Sequence, residues 1–322
     1  MKSNIKIFSG FLFFKMLLLS NYILAQAPIL KWNDVSNQFG SLPNSIKVFE
    51  SDNTYQDSAF KGFYVEIDTK DKTLHLDTDT TLFRRLTPQE FYTRLNQPLI
   101  VVNSSFFEFK RNTNVNVVVK NGLPISYNIQ DIPGKGKDTL TYTHVLGAAL
   151  GMDKKGNMDI AYTFTDSTST SVMYQQLPMD AFKDSNAKLI STDPHLTDLN
   201  VWKLKWANGG GPVLMRSGRI HISNNEERKF AGKAINDYHP RTAMGYTKEG
   251  KLIIMAIQGR MKGIAVGATL NQMAAFFEQL DCYEAINLDG GGSSCLLVNG
   301  KETIKPSDAT GQRPVPAVFY VK

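Results

Sequence analysis

The segment Asn287-Leu288-Asp289-Gly290-Gly291-Gly292-Ser293-Ser294 concentrates the chemistry of this chain. Three successive glycines carry an entropic cost, and a fold tolerates them where the backbone turns tightly or approaches a ligand. Their bare N–H groups and the Ser293 and Ser294 hydroxyls are the makings of a concave anion cradle, with Asp289 as its one carboxylate. The plainer alternative is a glycine-rich connection in which Asp289 bonds the amides of its own loop. The two readings are compatible, because a carboxylate held that way can also be poised for reaction.

Three other blocks match this segment in kind. His239-Pro240-Arg241-Thr242-Ala243 leads toward the apolar run 252–257, which Gly259-Arg260 closes; Asn208-Gly209-Gly210-Gly211-Pro212 precedes Val213-Leu214; Asn103-Ser104-Ser105-Phe106-Phe107 ends the run 99–102. The planar fork of Arg241 suits a phosphate, although an isolated arginine more often pairs with a surface carboxylate. Pro240 restricts the backbone on either side of it, which holds His239 and Arg241 rigidly. His239 is a candidate acid/base or donor, with a structural role equally open. Asn103 suits a sugar hydroxyl or, alternatively, a strand-ending cap. Phe106 and Phe107 read mainly as core, and His75, His144, His195 and His221 as packing or surface residues. No cluster calls for a metal, and the Cys or Cys/His spacing of a zinc site is absent.

In this order and spacing the blocks resemble the phosphodiester glycosidase family, from about Asn103 to the C-terminus. The resemblance implies a hydrolase that cleaves the glycosidic bond of a sugar-1-phosphodiester, of the alpha-N-acetylglucosaminyl type; no cofactor is expected. It implies catalytic roles for Asp289, Arg241 and His239. Substrate binding would fall to Asn103, Asn208, Gly210, Gly211, Arg260, Gly290, Gly291, Gly292, Ser293 and Ser294. A phosphomonoester leaves as a stabilised anion and needs little general-acid help. Such a site needs cationic and N–H donors for the phosphate, and a carboxylate for the oxocarbenium-like centre or the attacking water. Two departures stand out: Ser104 and Ser105 replace a Gly-Gly pair common in the family, and Gln258 stands where an acidic residue commonly precedes Gly-Arg. They keep a non-catalytic glycan-binding module in play, beside a phosphodiesterase that attacks phosphorus.

Composition narrows the setting. Lys2 and Lys6, the apolar run 7–24 and Ala25-Gln26-Ala27 read as a signal peptide over residues 1–25, cut after Ala25. Lys15 and Asn21 shorten the apolar span below what a bilayer needs, so no stable membrane insertion is expected after cleavage. The destination is the periplasm or the exterior. Loss of Lys2, Lys6 and Lys15 lowers the net charge from +6 to +3, too weak to argue for nucleic acid. Cys282 and Cys295 are the only cysteines, and an oxidising compartment permits a disulfide; their place in or beside apolar runs favours buried thiols.

The elements that position the blocks are mostly strands. They are expected at 46–49, 63–67, 73–76, 99–102, 115–119, 145–152, 158–164, 252–257, 284–288, 295–298 and 315–321, with an Asn121-Gly122 hairpin and a 153–156 turn. Thr87-Pro88-Gln89-Glu90 and Thr269-Leu270-Asn271-Gln272 are capping boxes. The second opens a helix with Leu270, Met273, Ala274, Phe277 and Leu280 on one stripe. Residues 26–45 read as an irregular lead-in, and 165–200 as a surface excursion over the cleft. The whole indicates an α+β fold: a single catalytic domain over 46–322, with a mixed, largely antiparallel β-sheet core covered by a few helices.

Overall fold

The strand Lys251–Ile257 is apolar without alternation because both of its faces are buried. In the computed structural model, which describes residues 28–232 and 234–322, it is the centre of an eight-stranded sheet. The order runs Trp32–Asp34, Ile46–Ser51, Gly62–Asp68, Lys251–Ile257, Arg241–Thr247, Cys282–Asn287, Val213–Arg216 and Arg219–Ile220. Val65, Met244, Ile254 and Ile286 project from one face into the main core. There they meet Leu150, Ile160 and Trp206 of a seven-stranded sheet and Val102 and Phe319 of a five-stranded sheet.

The other face, with Ala243, Ile253, Met255 and Ala285, is covered by the helix Leu270–Gln279. Its Thr269–Gln272 capping box is formed, and Leu270, Met273, Ala274 and Phe277 are buried as the periodicity predicts. Phe276 is buried as well, because Tyr55 and Phe60 lie at 5.1 and 5.6 Å on the far side. Each such phenylalanine contributes about 1.5–3 kcal/mol through removal from water. The Thr87–Glu90 box opens the helix Pro88–Arg94, whose Phe91 packs with Leu95, Val101, Leu297 and Val318 on the outer face of the five-stranded sheet.

Every strand pair named among the described residues is antiparallel, for example Arg241–Thr247 with Lys251–Ile257 and Leu76–Thr80 with Ala317–Val321. This is the expected single domain with an antiparallel core, without the parallel pairing a mixed sheet would carry. Three local readings need correction. Residues 26–45 are not irregular throughout: Trp32–Asp34 pairs with Ile46–Ser51, and Leu30, Val35 and Phe39 are buried. The 73–76 strand begins later, at Leu76, because Asp71 closes a turn through Thr73 first. Residues 165–200 are built into the sheets rather than laid over a cleft. Val172–Gln175 pairs with Met158–Thr165, Phe182–Asp184 pairs with Tyr142–His144, and Met179 and Leu189 enter the main core. His144 is buried, held at 2.8 and 3.0 Å between Asp131 and Asp184. The expected signal peptide, residues 1–25, lies outside the described residues. Among those described, no helix is long and apolar enough to cross a membrane.

Candidate active site

Antiparallel pairing brings the sequence blocks together. The strand Arg241–Thr247 starts where Cys282–Asn287 ends, because Ala243 opposes Asn287. Val213, which follows the second glycine block, opposes Ile286, and Ile257, which precedes Gly259-Arg260, opposes Arg241. In the five-stranded sheet Val102 opposes Leu296, which sets Asn103 beside Ser294 and Cys295. Four segments distant in sequence therefore reach one end of the sheets, and Asp289, Arg241 and Asn103 converge there.

Asn103 is the clip. Its Nδ2 donates to Asp289 O at 2.6 Å, and its Oδ1 accepts from Thr242 Oγ1 at 2.9 Å and Cys295 N at 3.0 Å. The side chain is fully buried. This corrects the sugar-hydroxyl expectation: Asn103 holds three blocks in register and faces no open space. Asn208 is equally buried, accepting from Ser104 Oγ and lying 3.5 Å from Met244 Sδ. Gly210 and Gly211 are also packing positions. A Cβ at Gly210 would strike the Asn287 carbonyl, and at Gly211, whose φ is +122°, it would strike Glu227 and Lys229. The three residues Asn208, Gly210 and Gly211 thus support the loop from behind.

The Asp289 loop is open on its other side. Asp289 N donates to Ser104 O at 3.1 Å, and Gly291 N to Pro240 O at 2.8 Å, which locks the glycines against the His-Pro-Arg block. A Cβ at Gly291, at φ +63°, would press on the Arg260 guanidinium at 3.1 Å, and one at Gly292 would collide with the Arg313–Asp308 ion pair. The glycines are needed because cations approach the loop this closely. Burial pushes the Asp289 carboxyl up to about 6, against the opposing pull of the Ser293 hydroxyl, the Arg313 charge and the Gly290 N–H. Ser293 Oγ lies near the carboxyl but outside good hydrogen-bond geometry, and the Ser293 and Ser294 hydroxyls are both buried without a partner.

Arg241 is divided between two tasks. Its Nε donates to Ala268 O at 3.0 Å and its Nη2 to Asp237 O at 2.9 Å, while the guanidinium lies 5.7 Å over the Phe230 ring. Among the described residues none accepts from Nη1, which leaves one edge of the fork for a ligand. Burial lowers its pKa to about 10, so it stays a cation at neutral pH. Arg260 Nη2 donates to His239 Nδ1 at 3.3 Å. Because a guanidinium can only donate, the neutral ring carries its proton on Nε2. Burial first, then the Arg241 and Arg260 charges, hold His239 below its usual pKa, which keeps the ring neutral.

The sequence departures are absorbed structurally. Ser104 and Ser105 donate to Asn208 and Asn114, and Gln258 is buried, with Nε2 3.3 Å from Met261 Sδ and Oε1 accepting from Lys305 N. Gln258 thus ties the Met261 turn to the Lys305 segment. Phe106 is half-buried, edge to face with Phe230 at 6.0 Å, and forms a wall rather than core. Sequence reasoning missed Glu227, Lys229, Phe230, Asp308 and Arg313. The buried Glu227 carboxylate accepts from Val213 N at 2.8 Å and Ser223 Oγ at 2.6 Å, fixing the Gly211 turn. The one signal for it is the charge-dense run Glu226-Glu227-Arg228-Lys229, which carries no periodicity. Both cysteines are buried free thiols, as expected.

Comparison with known proteins identifies the family and the fold. The profile of the phosphodiester glycosidase family matches residues 96–322. The N-acetylglucosamine-1-phosphodiester alpha-N-acetylglucosaminidase of Mus musculus is 37% identical over 108 residues, 34% of this chain and 20% of that enzyme. Its Homo sapiens counterpart is 34% identical over 103 residues, again 20% of its length. The matched stretch thus spans about a fifth of these enzymes. The catalytic domain of the zebrafish enzyme superposes with a TM-score of 0.58 at 19% identity, covering 91% of this chain and 87% of that domain. A hypothetical protein from Synechocystis gives 0.59 at 18% identity, over 92% and 64% of the two chains. At these identities the structures share the fold. With its motifs gathered at one end of that fold and the family profile matching across them, the chain belongs to the phosphodiester glycosidase family.

Proposed function

We propose that the protein is an exported hydrolase that cleaves the glycosidic bond of a sugar-1-phosphodiester, of the N-acetylglucosaminyl type named for its relatives. The observation that carries the reading is one carboxyl, Asp289, raised to about 6 in a loop that Arg241 and Arg260 approach and that is flanked by the Arg313–Asp308 ion pair. That charge pattern suits a substrate whose leaving group is a phosphate. The free Nη1 edge of Arg241 and the Arg260 guanidinium hold the phosphate oxygens, and the His239 Nε2–H donates to a further oxygen. Ionised Asp289 stabilises positive charge at the sugar carbon or takes a proton from the attacking water. The C1–O bond breaks with its electron pair moving to the phosphate oxygen. The water oxygen bonds C1 and releases its proton, yielding the free sugar and a phosphomonoester.

The test is turnover of an alpha-N-acetylglucosaminyl phosphodiester by residues 26–322 in isotopically labelled water. Label in the sugar supports attack at C1. Label in the phosphate means attack at phosphorus and overturns the reading, and absence of turnover across a panel of sugar-1-phosphodiesters favours a glycan-binding module. Export is tested by mass spectrometry of the mature protein. An N-terminus at Gln26 in periplasmic or secreted material supports it, and a retained Met1 in a membrane fraction refutes it.

A further inference from the structure

The strands that end at the Asp289 loop begin, at their other ends, in a set of exposed turns. Arg241 lies at the candidate site and Thr247, six residues along the same strand, at the opposite pole, about 20 Å away at 3.3–3.4 Å per residue. Two concavities of 340 and 240 Å³ adjoin there, sharing Thr69, Lys72, Lys155 and Gly156. Their walls carry Lys70, Lys72, Lys154, Lys155, Lys205 and Lys248, against the carboxylates Asp71, Asp153 and Glu249. The two concavities thus carry an excess of three positive charges.

Two of the carboxylates are fixed by local hydrogen bonds, and Glu249 lies in the field of Lys248 and Lys70. Asp71 accepts from Ser45 Oγ at 2.5 Å and from Thr73 N at 2.9 Å, and Asp153 from the N–H groups of Lys155 and Asn157 at 2.8 and 2.9 Å. No carboxylate among the described residues lies within ion-pair distance of any of the six lysines. A cleft whose lining carries an excess of one sign of charge favours the approach of an anion. Lys154 also lines a third concavity, of 380 Å³, whose floor includes Trp202 stacked on Tyr174 at 5.2 Å. Exposed ammonium groups beside an indole platform combine anion attraction with a face on which a sugar ring can stack.

We propose that this pole is a second, non-catalytic binding surface for a sugar–phosphate polymer, its phosphodiesters held by the lysines and a sugar ring by Trp202. The polymer class rests on the reading given under Proposed function. The surface itself rests on charge and shape remote from Asp289. Such a surface would raise the concentration of substrate linkages near the site, as tethering of a second ligand segment does.

The test measures binding of a soluble poly(hexosyl phosphate) to residues 26–322, with inorganic polyphosphate and neutral dextran as controls. Expected is binding that weakens steeply with salt, falls at least tenfold in the double variant Lys72→Glu/Lys155→Glu, and falls in Trp202→Ala with recovery in Trp202→Phe. Turnover of a monomeric sugar-1-phosphodiester should stay unchanged in all variants, which also confirms their folds. Polymer binding that ignores both the lysine and tryptophan variants overturns the proposal. So does polyphosphate binding as tightly as the polymer, because the patch would then read charge alone. Monomer turnover without polymer binding leaves the catalytic reading intact and removes this surface. Polymer binding lost in the variants, with no turnover by any form, leaves the surface and removes the catalytic reading.

Discussion

Replacing Asp289 by Asn should make the protein more stable and much less active, and the two effects should share one pH window. The folded carboxyl titrates at about 6 against an ordinary 3.8, because burial penalises its charge. At roughly 1.4 kcal/mol per tenfold change in proton affinity, ionising it in the folded state costs about 3 kcal/mol. For an acid whose folded pKa is raised, the folded state binds more protons than the unfolded state between the two values. Stability therefore falls as pH rises from about 4 to about 6 and stays lowered above it. Asn carries no charge and loses none of this. Its backbone carbonyl still accepts from Asn103 Nδ2, so the clip survives. Urea unfolding of both proteins should give equal stabilities near pH 3.5 and a variant advantage of about 2–3 kcal/mol at pH 8, with unchanged m-values. In the same variant kcat should fall about 10²–10⁴-fold with little change in KM, and the wild-type rise in rate through pH 6 should disappear. A stability difference that is the same at pH 3.5 and pH 8 would refute the burial argument. Wild-type turnover by a folded variant would remove Asp289 from the mechanism.

Three further outcomes follow from the same geometry. Arg241→Ala should raise KM strongly for a phosphodiester, lower kcat, and affect a neutral aryl glycoside less; equal losses on both substrates in steady-state kinetics would refute phosphate binding by this residue. It should also cost about 1–3 kcal/mol in urea unfolding, since the Ala268 and Asp237 carbonyls lose their donor. Asn103→Ala should destabilise by about 2–4 kcal/mol and abolish turnover together, because it unpairs Cys295 N, Thr242 Oγ1 and the Asp289 carbonyl; a stable, inactive variant would instead return Asn103 to substrate binding. Thiol labelling of the native, exported protein should be slow and, after unfolding without reductant, reach both Cys282 and Cys295; a mass lower by two hydrogens and resistant to labelling would mean a disulfide.

The sequence by itself determined the local pieces whose signals are short-range. The two capping boxes, the stripe of Leu270, Met273, Ala274 and Phe277, the Asn121-Gly122 hairpin and the 252–257 strand are legible because each depends on residues a few positions apart. So are the glycine-serine and His-Pro-Arg blocks, whose composition is costly unless something requires it. Only the tertiary structure decided what each block does. Asn103 looked like a ligand-facing polar residue, but long-range pairing wraps its side chain in three hydrogen bonds to residues 139 or more positions away. Residues 165–200 looked like polar surface because their strands are short and carry few apolar side chains, and the pairing of Val172–Gln175 with Met158–Thr165 is not encoded within the segment. Gln258 looked like a missing acid until its buried contacts with Met261 and Lys305 appeared. Arg313 and Glu227 stand in no motif at all, and they reach the site because antiparallel strands return distant loops to the same end of the sheet.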